Sequence, residues 1–79
     1  MNKNNVKQFI NNYRQTYGND DYIRELENHL VNSGYPANLE HVCEVCNSYR
    51  AKFGFDDELT EVVNTYNLDI DPYTLTIRR

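Results

Sequence analysis

Cys43-Glu44-Val45-Cys46 forms a C-x-x-C, a spacing used by zinc sites and by redox-active thiols. His41 stands just before it and His29 farther upstream. Two Cys and two His, all that the chain has of each, make a Cys2His2 zinc site countable. Helical geometry opposes it. At about 100° per residue, His41 lies about 200° around a helix from Cys43. Only His29, on another segment, is placed to join the thiols. A redox pair needs a helix N-terminus after a strand to lower its thiol pKa, and this motif falls in mid-helix. Both cysteines therefore read as core residues, with a metal or redox protein using Cys43 and Cys46 as the lesser alternative.

The carboxylates cluster at Asp20-Asp21, at Asp56-Asp57-Glu58 and at Asp69/Asp71. None follows the D-x-[DN]-x-[DN]-G spacing of a calcium loop. No cleft follows from the sequence that would pair two of them for glycosidic chemistry. The three Gly stand alone, so there is no phosphate-cradling loop. Ser33 and Ser48 lack a nucleophile-elbow context. The expectation is no enzyme and no cofactor.

The elements that position these residues are read from apolar spacing. Residues 3–17 carry Val6, Phe9, Ile10, Tyr13 and Tyr17 on one stripe, and Gly18 stops them. Residues 20–33 carry Tyr22, Ile23, Leu26 and Leu30, with Asn19 or Asp20 as N-cap and Gly34 as stop. Residues 39–53 carry Leu39, Val42, Cys43, Cys46, Tyr49 and Phe53 between an Asn38 cap and Gly54. Residues 57–67 carry Leu59, Val62, Val63 and Tyr66 behind Asp56.

Sliding the chain against itself by 36 residues exposes a repeat. Asn2, Val6, Asn11, Tyr13, Arg14 and Gly18 meet Asn38, Val42, Asn47, Tyr49, Arg50 and Gly54. Asp20, Asp21, Glu25, Asn28, Pro36 and Leu39 meet Asp56, Asp57, Glu61, Asn64, Pro72 and Leu75. The matches have structural reasons. The glycines supply a left-handed stop, and the Asp pairs cap the next helix. Arg14 and Arg50 lie in a last turn, within reach of those Asp pairs. The reading is a tandem duplication of a helical hairpin, with units 2–36 and 38–72.

The tail 73–79 is ambiguous. Asp71-Pro72 suits the start of a further helix. Tyr73-Thr74-Leu75-Thr76-Ile77 alternates like a strand, which in a helical monomer needs a partner, such as the same strand of a second copy. A short helix or an extended tail packed on the bundle is expected.

At 79 residues there is room for one domain, 1–79, with a modest core. No run approaches a membrane span, and MNKNNVKQFINNYRQ has no apolar leader. With too few Cys for a disulfide scaffold, a cytoplasmic location is expected. A pI near 4.9 opposes nucleic-acid binding. The charge is segregated. Residues 1–18 hold Lys3, Lys7 and Arg14 and no acid, all 12 acids fall in 19–71, and Arg78 and Arg79 end the chain.

Paired helices with a period in the mid-thirties resemble short helical repeats of the tetratricopeptide type. That family's Trp/Leu/Gly/Tyr and Ala/Phe/Pro pattern is not matched, and each Gly here falls in the turn, so no binding residue is carried over. The short, acidic, Asn- and Tyr-rich, Lys-poor chain is also similar in composition to small regulatory proteins of large lytic bacteriophages, such as host-factor inhibitors and cytoplasmic antiholins. That resemblance implies action by binding a partner.

The expectation is an all-α protein of two tandem helical hairpins, forming a small four-helix unit with a short C-terminal tail. It is expected to bind another protein with a basic surface, as a regulator or inhibitor. The expected contact residues are the hairpin-end aromatics Tyr22, Tyr35, Phe55 and Tyr73 with Asp56, Asp57 and Glu58. A structural homo-oligomer is the alternative, because the tails carry charge opposite to the middle.

Overall fold

The computed structural model describes residues 3–32 and 38–79. Four helices follow in order, α1 (Lys3–Tyr17), α2 (Asp21–Leu30), α3 (Leu39–Phe53) and α4 (Asp57–Thr65). Two short strands, β1 (Asp69–Ile70) and β2 (Ile77–Arg78), complete the fold. The protein is an all-α, small four-helix unit. Gly34 and Pro36, expected to close the first hairpin, and Tyr35, an expected contact residue, lie outside the described residues.

The helix starts follow from their caps. Asp20 accepts from the Ile23 N–H, Asp56 from the Leu59 N–H and Asn38 from the Glu40 N–H. Each occupies one of the donors that a helix start leaves open. The helix ends at the two turns come from glycine. Gly18 has φ +87° and Gly54 φ +73°, and each N–H bonds back to the Arg four residues earlier. These contacts recur at the 36-residue spacing. α2 and α4 end earlier than apolar spacing alone suggests, at Leu30 and Thr65.

The hairpins close into a ring, with α1 on α2, α2 on α3, α3 on α4 and α4 back on α1. Exchanging the hairpins turns the α1/α4 contact into the α3/α2 contact, so the arrangement is two-fold in kind. The core is one cluster that includes Phe9, Ile23, Leu26, Tyr49, Leu59 and Ile77. Phe9 of α1 stacks on Tyr49 of α3 with ring centroids 4.3 Å apart. Among the described residues, no helix is long and apolar enough to cross a membrane.

Three stripe residues leave the core. Tyr17, Leu39 and Phe53 are exposed because they sit at helix ends, where the opposing helices no longer cover them. Val45, off the stripe as read, is buried, because α3 is covered by α2, α4 and β2.

The tail is a β-hairpin, and its strand partner lies in the same chain. Asp69 pairs with Arg78 and Ile70 with Ile77 in antiparallel register. Asn47 of α3 clamps β2, donating to the Ile77 carbonyl at 2.9 Å and accepting its N–H at 2.8 Å. Asp71 does cap a turn, accepting from the Tyr73 and Thr74 N–H groups. That turn ends at Leu75, whose φ of +61° reverses the chain instead of extending a helix.

Candidate functional site

The α3–α4 turn holds four of the seven expected contact residues. Phe55 is 40% exposed, Asp57 is exposed and Glu58 is half-buried. Neither Asp57 nor Glu58 has an ion pair among the described residues. Asp56 has a different job. One of its oxygens caps α4, and the other accepts the Tyr49 hydroxyl at 2.8 Å. The Tyr49 oxygen in turn accepts from Asn12 of α1 at 3.0 Å, and burial pushes its pKa up. Asp56 thus ties the turn to the core and is not a loose surface charge. Phe53, missed as a surface aromatic, is 37% exposed beside this turn, with its ring 4.5 Å from that of Tyr49.

The α1–α2 turn provides an internal comparison. Tyr13 donates to Asp20 at 2.8 Å, as Tyr49 does to Asp56. Burial, with the Asp20 carboxylate, raises the Tyr13 pKa. Beyond that shared contact the two ends differ. Arg14 gives both terminal nitrogens to Glu27 at 2.8 Å, and its Nε donates to Asn19 at 2.8 Å. The guanidinium holds the Glu27 carboxyl below the usual carboxylate range. Arg24 pairs with Asp21. In the second hairpin, Asn19 is replaced by Phe55, Arg24 by Thr60 and Glu27 by Val63. Asp57 therefore lacks its cation. Arg50 Nε is buried with no hydrogen-bond partner. The expectation that both arginines reach their Asp pairs is corrected. Arg14 turns to Glu27 and Asn19, and Arg50 has no ion pair among the described residues. The signal for Arg50 was present 36 residues after Asn19 and Glu27, in Phe55 and Val63.

The remaining expected residues lie on other elements. Tyr22 is half-buried and stacks on His41 at 3.9 Å, with planes 9° apart. His41 Nδ1 lies 3.0 Å from Glu25, which also accepts the Asn38 N–H at 2.7 Å. Those two partners hold the Glu25 carboxyl low. Tyr22 is thus part of the joint between α2 and α3. Tyr73 is 94% exposed at the hairpin tip. Tyr35 lies outside the described residues. The basic tail is satisfied within the chain, with Arg78 on Asp69 at 2.9 Å and Arg79 on Glu40 at 3.5 Å. That uses up the charge contrast which made tail exchange between copies attractive.

Cys43 and Cys46 are free thiols in the core, and burial raises the pKa of both. His29 Nδ1 contacts the Tyr66 hydroxyl at 2.6 Å, and His41 is taken by Glu25. Among the described residues, no group of three or more His, Cys, Asp or Glu is arranged to hold a metal ion.

No protein-family model matches the chain, and neither a curated protein nor a solved structure is significantly similar to it.

Proposed function

We propose that the protein is a small acidic binding module that regulates or inhibits a partner protein in the cytoplasm, without catalysis of its own. The observation that carries this reading is the α3–α4 turn. Exposed Phe55 and Phe53 adjoin Asp57 and Glu58, whose charges nothing among the described residues neutralises. Aromatic anchors beside two unpaired carboxylates suit a basic protein surface. The apolar contact supplies affinity, and the carboxylates set on-rate and orientation.

The test uses the full chain as bait in an affinity pull-down, beside the Asp57→Lys/Glu58→Lys variant. Asp56 is left in place so that the α4 cap survives. The expected result is a discrete partner captured by the wild type and lost by the variant, with helical circular dichroism retained. Capture that the charge reversal leaves unchanged overturns the reading.

A further inference from the structure

The two hairpins share a backbone plan and a Tyr–Asp latch, yet only the first is electrostatically closed. At its turn every charged group is answered nearby, Arg14 by Glu27, Arg24 by Asp21 and Asp20 by the Tyr13 hydroxyl. At the second turn the same scaffold carries charges of both signs with their partners removed. Arg50 and Lys52 end α3, and Asp57 and Glu58 begin α4. None of the four has an ion pair among the described residues. Arg50 also keeps a buried Nε without an acceptor, which costs free energy in an isolated chain. Along the chain, Phe53 and Phe55 stand between the two signs, and both are partly exposed.

A surface that holds a cation, an anion and an apolar centre is complementary to itself after a two-fold rotation. Packing two such turns together sets the cation of each copy against the anions of the other and covers the phenyl rings. We propose that the α3–α4 turn is a self-association surface, on which Arg50 of each copy meets Asp57 and Glu58 of a second copy around Phe53 and Phe55. At the α1–α2 turn the corresponding charges are already paired within the chain. The inference rests on the reading of this turn as a contact site, and names a second copy of the chain as one occupant.

The experiment is sedimentation equilibrium of the full chain from about 5 µM to about 500 µM, which spans the affinities expected of a modest interface. The wild type is expected to dimerise. Arg50→Glu, and separately Asp57→Arg/Glu58→Arg, each weaken the dimer by at least about tenfold, the scale for reversing a close interfacial charge. Mixing the two variants in equal amounts restores dimers, because each then presents what the other lacks. Phe55→Asn returns to Arg50 the acceptor that Asn19 gives Arg14, and gives a monomer with an unchanged or higher Tm. This variant keeps the test decisive if Arg50→Glu misfolds. A wild type that stays monomeric overturns the inference, as does a mixture that fails to recover dimers from two folded variants. If the wild type is monomeric while the pull-down partner is still lost on charge reversal, only the self-association fails and the partner-binding reading stands.

Discussion

Asp56 gives the sharpest test of the physical account, because it does two things with one carboxylate. It caps α4 through the Leu59 N–H and accepts the hydroxyl of fully buried Tyr49. Asp56→Ala removes a cap, which costs about 1 kcal/mol. It also strands a buried hydroxyl donor, at about 1–3 kcal/mol more. The total is about 2–4 kcal/mol. In a domain of this size each kcal/mol lowers Tm by about 4–8 °C, so the midpoint should fall by about 8–32 °C. Tyr49→Phe removes the donor but leaves the cap intact, and should cost about 1 kcal/mol. In the double variant no hydroxyl is stranded. Its loss should therefore fall short of the sum of the single losses by about 1 kcal/mol or more, measured by urea denaturation as a double-mutant cycle. Asp57→Ala, one residue along and exposed, should stay within about 0.5 kcal/mol of wild type. Additive losses, or an Asp56→Ala no worse than Asp57→Ala, would refute the latch.

The remaining predictions concern acid, the thiols and the tail. The Glu27 carboxyl has a lowered pKa in the folded chain, so its contribution is present above the unfolded value of about 4.3 and fades as pH falls through the folded value. Glu27→Gln should flatten the decline of the urea midpoint on acidification below about pH 5. Cys46 is fully buried and Cys43 nearly so, and both thiols are raised by burial. A thiol reagent at mildly alkaline pH should modify Cys43 first and Cys46 only on unfolding, and added zinc should leave Tm unchanged. Rapid native modification of Cys46, or a zinc-dependent Tm, would return the cysteines to the list of functional groups. Ile77→Ala should cost about 2–4 kcal/mol and release the C-terminal hairpin, seen as loss of amide protection at Asn47-clamped β2.

Much of the fold was legible because punctuation and periodicity agreed. Gly18, Gly54, Asp20, Asn38 and Asp56 mark helix boundaries by local chemistry, and the structure uses each one as a stop or a cap. The tail was harder. A two-residue ladder has no pattern of its own, and Leu75 at positive φ carries none of the usual turn signals. Periodicity places a residue on a face without saying where along the helix cover ends, hence the exposure of Tyr17, Leu39 and Phe53. It also takes one buried face per helix for granted, which hides Val45 on the helix with most neighbours. At the candidate site, residue type alone put Asp56, Asp57 and Glu58 together. The structure separates a buried anchor from two surface charges, because only Asp56 faces Tyr49. Arg50 was expected to reach its Asp pair, and residue type alone did not show that Phe55 and Val63 stand where Arg14 finds Asn19 and Glu27.

The ring order of the helices has a consequence for synthesis. The stripe of α1, with Val6, Phe9, Ile10 and Tyr13, is sealed by α4, the last of these four helices to be translated. Until residue 65 leaves the ribosome, the first hairpin carries an uncovered apolar face. Only when Ile77 follows does the last buried side chain arrive. A nascent chain halted between the hairpins therefore leaves that apolar face open, the kind of surface through which partly folded chains aggregate.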